Sequence, residues 1–529
     1  MLFIILAYTL LSSNLVLGLT VHIPLVAPSI APIVKPPLVS FSIEQDRWTD
    51  WVGTTSRNQF FFNTLNNLNH ISGVPSRIRI GANSEDHTNF NPGLQVNPKH
   101  TIFPAITTTV PYPEASNITV GDSYYESTKF LPPNTRVTWG LNLGQNNITA
   151  AFLEAKSIVK AFSSPAIKRA GIILDSIEIG NEANLYPNNG ARPQNYTTAQ
   201  YVGEWTAFAT NISATMGITA NSTTKFWGVA FAGAGSSHSI TGFSPQAAIN
   251  EGLLLSETGS AISTISQHHY SGSFCTGSEG LLQDLMSKPT IRGNLSAYSP
   301  DIAAVRETGL EYVFGETNSY SCHGAPGVSN SAGAALWALD YVLFATQIGI
   351  SRVFFHEGIG YKYNLIQPIA LTRSILDGSS LPAPIPAHIQ PQYYAAIVAA
   401  EAVGKGRDMH AVELAIDDSR ISGYAFYDRT RLVRTIFINS EAFLKSNATA
   451  RRSIHLDMGF TGNDIVAPTM FTTKRLIIEH ADDTSGLTWG GQTYETNDGK
   501  VSGALVASND NVANGLDIQA TEAVLLTFH

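Results

Sequence analysis

The chain has 529 residues, 43% of them hydrophobic and only 14% charged, and carries a formal net charge of −9. That length exceeds one ordinary domain, and the composition excludes a disordered chain. The acidic balance, with a pI near 5.9, excludes the basic footprint of a nucleic-acid-binding protein.

Residues 1–18, MLFIILAYTLLSSNLVLG, form a short apolar run with small residues near its end. This predicts a signal peptide and a secreted, extracellular protein. Ser12, Ser13 and Asn14 interrupt the run and no basic stop-transfer flank follows, which sets it against a membrane anchor. N-x-S/T sequons at Asn117, Asn147, Asn195, Asn211, Asn221, Asn294 and Asn447 point to the same route.

The catalytic unit is expected over residues 19–404. Segment 19–26 precedes a proline-rich stretch and has the texture of a strand that crosses over to a C-terminal sheet. Eight apolar runs follow, at 38–44, 77–81, 137–144, 174–181, 225–233, 261–270, 312–318 and 352–359. Most are apolar on both faces, as parallel strands covered by helices must be. Stretches 150–169, 197–216 and 330–348 between them carry helical apolar spacing. Eight such units predict a (β/α)8 barrel, with a doubly wound open sheet as the alternative. Beyond Gly404 the texture changes to short alternating segments at 422–428, 432–439, 452–458, 474–480 and 523–529, separated by turn clusters. That pattern predicts an antiparallel β-sandwich over residues 405–529.

In a barrel, catalytic groups belong at the C-terminal ends of strands. Glu182, in Gly180-Asn181-Glu182-Ala183-Asn184, closes the fourth run, and Glu316, in Gly315-Glu316-Thr317-Asn318, closes the seventh. Glycoside hydrolysis needs one carboxyl that starts protonated and one that starts ionised, flanking the anomeric carbon. Small polar neighbours, Asn181 first, suit hydrogen bonds to a sugar. Glu178, nearer the start of the fourth run on the same alternating side as Glu182, reads as structural. Tyr270 closes the sixth run and is placed to hold a carboxylate in its ionised form. His268 and His269 are adjacent and face opposite ways on a strand, so they do not share a metal. No HExxH, G-x-S-x-G or G-x-G-x-x-G motif is present, so neither a metal nor another cofactor is expected. Cys275 and Cys322 follow the sixth and seventh runs, whose loops are neighbours in a barrel. A disulfide is predicted there, against two buried free thiols.

With these residues placed, the chain resembles glycoside hydrolase family 79, the family of β-glucuronidases and heparanase. The matching pieces are VSFSIE (39–44), RIGANSED (79–86), WGLNLG (139–144), IEIGNEANLY (177–186), QHHYSG (267–272) and FGETNSYSCHGAPGVS (314–329). The resemblance implies that Glu182 is the acid/base and Glu316 the nucleophile. It also implies that the glucuronate carboxylate is held by Tyr320, the backbone near Gly324, and either Tyr361 or Tyr363. Glu44, at the end of the first strand, is a candidate for sugar hydroxyls, with Asn83, Ser84 and Asp86 weaker ones. The expected activity is that of a retaining exo-β-glucuronidase releasing glucuronic acid, or its 4-O-methyl form, from extracellular oligosaccharides or proteoglycans. The competing readings are an endo-acting, heparanase-like enzyme, another retaining barrel β-glycosidase, and a non-catalytic carbohydrate-binding protein. An endo-acting enzyme on sulfated chains needs a basic cleft, and few Lys or Arg lie near the motifs.

Overall fold

The structure is a computed structural model that describes residues 18–94, 100–233, 238–278, 280–406, 408–462 and 465–529. The leader expected over residues 1–18 falls outside them, except for Gly18. Eight parallel strands close a barrel: β1 (Val39–Glu44), β2 (Ile78–Gly81), β3 (Arg136–Leu141), β4 (Ile173–Ile179), β5 (Lys225–Phe231), β6 (Ile262–Ser273), β7 (Glu311–Ser321) and β8 (Arg352–Glu357). The ring closes where β8 pairs with β1, from Val353↔Val39 to Glu357↔Ile43. Every residue of β1, β2 and β8 is buried, because side chains fill the barrel on one face and helices cover the other.

Three local differences from the sequence reading matter for the site. Strands β6 and β7 run past their expected ends and stay paired to Ser273↔Ser321. These extensions are polar and glycine-containing, so apolar periodicity did not mark them. The stretch 150–169 is two helices, Ile148–Ser163 and Pro165–Ala170. Ser164 caps the second helix and Pro165 opens it, at the position where the missing N–H costs nothing. Between β2 and β3, a three-stranded sheet of Thr88–Phe90, His100–Ile102 and Asn117–Val120 carries Val110 and Glu114 to the barrel mouth.

The C-terminal region forms a larger mixed-length sheet that includes Met409–Glu413, Ile421–Asp428, Arg431–Asn439, Glu522–Phe528 and Met470–Ile477 in that order. A second, three-stranded sheet receives the N-terminal strand Leu19–Pro24, which runs parallel to Ser453–Thr461 from Leu19↔Leu456 to Pro24↔Thr461. Helix Ala332–Ile348 is buried on all sides through Thr346, lying between barrel and sandwich. Its Asp340 receives hydrogen bonds from Arg292 Nη1 (2.6 Å), Tyr424 Oη (2.6 Å) and Ser422 Oγ (2.9 Å). A buried carboxylate paired from both sides in this way fixes the sandwich against the barrel.

Candidate active site

Glu182 stands just past β4 with φ 51°, a left-handed conformation that a glutamate seldom adopts. Its N–H donates to the carbonyl of Ala230 at 2.9 Å. That carbonyl is available because Val229 and Ala230 also have positive φ and break the regular register of β5. Strain of this kind costs about 1–3 kcal/mol per residue and persists where the surrounding structure fixes it. The Glu182 carboxylate is partly exposed, and its Oε1 lies 2.9 Å from Nδ1 of His268.

Glu316 is held very differently. Arg79 Nη1 donates to its Oε2 at 2.7 Å and Tyr270 Oη to its Oε1 at 2.8 Å. His356 Nδ1 and His268 Nδ1 stand 3.9 and 4.0 Å from Oε2. Burial alone would push this carboxyl up, but the charges of His356, His268 and Arg79 outweigh it and hold Glu316 well below the usual carboxylate range. An oxygen of Glu182, an oxygen of Glu316 and a ring nitrogen of His268 all lie within 4.8 Å of one another. The two carboxylates are therefore close enough for direct attack on the anomeric carbon, with no room for the intervening water of an inverting site. The same three donors would reach one cation, yet Arg79 and Tyr270 already engage both Glu316 oxygens.

Beneath the pair, Arg79 is fully buried and serves four carboxylate or amide groups: Glu316, Glu178, Glu85 (3.7 Å) and Asn181 Oδ1 (2.8 Å). With Oδ1 taken by Arg79, the Asn181 amide is oriented so that its NH2 is left for a ligand. Glu178 is thus an internal partner of Arg79, as its position in the strand suggested. Glu44 accepts from Ser84 N (3.1 Å) and from Ser84 Oγ, and stands 3.5 Å from His356 Nε2. Burial lowers the proton affinity of His356, but Glu316 and Glu44 more than compensate and raise it to about 9.

These groups open into a cavity of about 800 Å³, whose wall includes Glu44, Asn181, Glu182, Tyr270, Glu316 and Tyr363. Between Tyr361 and Tyr363, it is Tyr363 that faces the cavity. Tyr361 lies behind His323, stacked on that ring at 3.7 Å between centroids. Of the other expected carboxylate-holding positions, Tyr320 is not part of the cavity wall, whereas Ser321, Cys322 and His323, just before Gly324, are. The Tyr320 ring covers Gly272 and Gly280, because the extended β6–β7 pair turns it to the outer side, and Gly324 packs against Ser329 and the backbone of Tyr363. Four functional side chains escaped the sequence reading: Arg79, His356, Glu114 and His323. Arg79 and His356 had a signal, a basic residue inside an otherwise apolar strand (RIRIG, RVFFHE). Glu114 and His323 had none, since they meet only in space, with Glu114 Oε1 2.7 Å from His323 Nε2. Burial would raise Glu114, but the charge and hydrogen bond of His323 bring it down to about 2. His269 turns away from the carboxylates, 2.8 Å from Tyr341 Oη.

Cys275 and Cys322 form a disulfide with a Cα–Cα distance of 5.1 Å, joining the loops after β6 and β7 at the cavity rim. Closing a loop of 47 residues, it ties the segment carrying His323 to the strand carrying Tyr270.

Comparison with known proteins gives a consistent pattern. The family model described as "Glycosyl hydrolase family 79 C-terminal beta domain" matches residues 423–525. A β-glucuronidase of Aspergillus niger is 28% identical over 518 residues, covering 93% of this chain and 90% of that protein. A β-glucuronidase of Neurospora crassa is 28% identical over 497 residues, covering 86% and 84%. Among solved structures, a 4-O-α-L-rhamnosyl-β-D-glucuronidase from Fusarium oxysporum shares the fold with a TM-score of 0.77 at 22% identity, over 96% of this chain and 100% of that one. A family 51 α-L-arabinofuranosidase from Bifidobacterium longum shares it with a TM-score of 0.60 at 14% identity, over 96% and 99%.

Proposed function

We propose that this chain, which belongs to glycoside hydrolase family 79, is a retaining exo-β-glucuronidase with Glu316 as nucleophile and Glu182 as acid/base. The observation that carries this reading is the pair of carboxylates within 4.8 Å of each other in unlike environments. Arg79 and Tyr270 keep Glu316 ionised and aimed, while the Glu182 carboxylate is hydrogen-bonded to His268 and lines the cavity. In the first step Glu316 forms a bond to the anomeric carbon as the glycosidic bond breaks, and Glu182 gives its proton to the departing oxygen. In the second, Glu182 takes a proton from water, whose oxygen displaces Glu316 and releases the sugar. Asn181 and Glu44 are placed to bind sugar hydroxyls. Tyr363 is placed to donate to the glucuronate carboxylate, a role that needs no basic side chain.

Exo action is supported by the wall that Val110 and Glu114 add to the barrel mouth. Among the described residues no lysine or arginine lines the cavity, which is against a cleft built to grip a sulfated chain. Secretion is supported by the apolar leader and by the exposure of the sequon residues Asn147, Asn195, Asn221 and Asn447. The test is a panel of aryl β-glucuronide, β-glucoside and β-xyloside, with heparan sulfate as polymer. The reading expects turnover of the glucuronide alone or far above the others. Faster turnover of the glucoside or xyloside, or endo-cleavage of heparan sulfate, would overturn it.

A further inference from the structure

Beneath the nucleophile lies a carboxyl group that the reaction as proposed does not use. Glu85, in the short turn Asn83–His87 after β2, is fully buried. Its carboxyl enters a slot between Gly81 of β2 and Gly140 of β3, and a Cβ added to either glycine would collide with Glu85 Oε2. Two neighbouring strands each leave out a side chain where this group sits, so its place is built into the barrel. We propose that Glu85 is a positioning residue that stays protonated, holding Arg79 in place while leaving the guanidinium charge to Glu316 and Glu178. The inference rests on the reading of Glu316 as nucleophile.

Arg79 is one positive charge among three buried carboxyl groups. Glu316 accepts from its Nη1 at 2.7 Å and Glu178 from its Nε, whereas Glu85 Oε2 stands 3.7 Å from Nη2. Among the described residues neither oxygen of Glu85 has a hydrogen-bond donor, and Glu178 Oε1 lacks one too. The cluster is short of hydrogens rather than of acceptors. Three carboxylates cannot all ionise beside one guanidinium in a space closed to water, so one of them keeps its proton. Glu316 is excluded, because Tyr270, His268 and His356 serve it as well as Arg79. Glu178 takes the direct bond from Nε, which leaves Glu85. Burial pushes Glu85 well above the usual carboxylate range. The charges of Glu178 on β4, Asp86 in its own turn and Glu154 on helix Ile148–Ser163 add to this, against Arg79. An ionised Glu85 would draw on Arg79 and raise the proton affinity of Glu316, which a charged nucleophile has to avoid. With Glu85 neutral, Arg79 keeps Glu178 as its counter-charge when Glu316 becomes an ester, so no proton has to move in the buried layer.

The experiment joins infrared spectroscopy to kinetics on the full chain. The difference spectrum between wild type and E85Q at neutral pH should show the carbonyl stretch of a protonated carboxylic acid in the wild type, moving to lower frequency in D2O and missing from the variant. A carboxylate band in its place would overturn the proposal. On an aryl β-glucuronide, E85A opens a void beside Arg79 and should lower kcat roughly tenfold with KM little changed, and E85Q should restore kcat to within about twofold of the wild type. E85A as fast as the wild type, or E85Q as slow as E85A, would overturn the positioning role. Should E85A fail to fold, E85Q decides with the infrared band: a loss of about tenfold or more in E85Q contradicts a neutral acid at this position. Wild-type protein that cleaves no glucuronide would instead overturn the activity reading, while the infrared band still decides the charge state of Glu85.

Discussion

The two walls of the cavity, β7 with Glu316 and β4 with Glu182, hold the same kind of side chain in opposite ways. Glu316 sits within its strand, 6% exposed, with both oxygens engaged by Arg79 and Tyr270 and two histidines within 4 Å of Oε2. Glu182 sits beyond its strand on a left-handed residue, with one ring nitrogen beside it and open space in front. The difference teaches where the chemistry is divided. A nucleophile has to be charged and immobile, so it is surrounded by positive charge and donors. A residue that gives and takes a proton has to reach a leaving group and then a water, so it is tethered by its backbone and held at one carboxylate oxygen by His268.

Glu316→Gln breaks the comparison most severely. It should reduce kcat on every substrate, on the order of 10⁵-fold, whatever the leaving group. Glu182→Gln should cost about 10²–10⁴-fold where the leaving group is a sugar, and much less in the first step for an activated aryl glucuronide. Steady-state and burst kinetics over a series of phenols check both, and a leaving-group-independent loss in Glu182→Gln would contradict its role. Opening the rim comes next. The Cys275→Ser/Cys322→Ser double variant should be less stable by roughly 3–4 kcal/mol on the loop-entropy estimate, read as a shift in the denaturant midpoint.

His356 sharpens the comparison through pH. Its proton affinity is raised in the folded state to about 9, so its contribution to stability is complete below about 6.5 and is lost as pH rises through 9. Glu316 has the opposite sign: its depressed value contributes above about 4.5 and is lost as pH falls. The wild type should therefore lose stability between pH 6.5 and 9, on the order of 3 kcal/mol from this group. His356→Gln should flatten that decline and move the acid limb of the kcat/KM profile upward, because Glu316 loses a neighbouring positive charge. An unchanged profile in both respects would remove His356 from the account.

Much of this arrangement was legible in the residues. Strands apolar on both faces marked the barrel, and the N-E and G-E pairs at strand ends marked Glu182 and Glu316, since a carboxylate after an apolar run has few structural uses. Tyr270 was legible because it closes the sixth run, where a phenol can donate to a neighbouring carboxylate. What the sequence did not disclose is whatever depends on distant segments meeting. The sheet inserted between β2 and β3 has strands of three or four mostly polar residues, below the length at which alternation becomes visible. Its Glu114 finds His323 only because that sheet folds over the loop after β7. Tyr320 was placed wrongly for a related reason: β6 and β7 continue for three residues past their expected ends, and each added residue turns a side chain to the other face.

The central claim is that the two carboxylates act by double displacement, and the configuration of the first sugar released tests it most directly. Proton NMR during hydrolysis of an aryl β-glucuronide, read before mutarotation, should show β-glucuronic acid appearing first, with the α-anomer following slowly. Initial release of α-glucuronic acid would mean inversion through a water between the carboxylates, and would contradict the geometry on which the account rests.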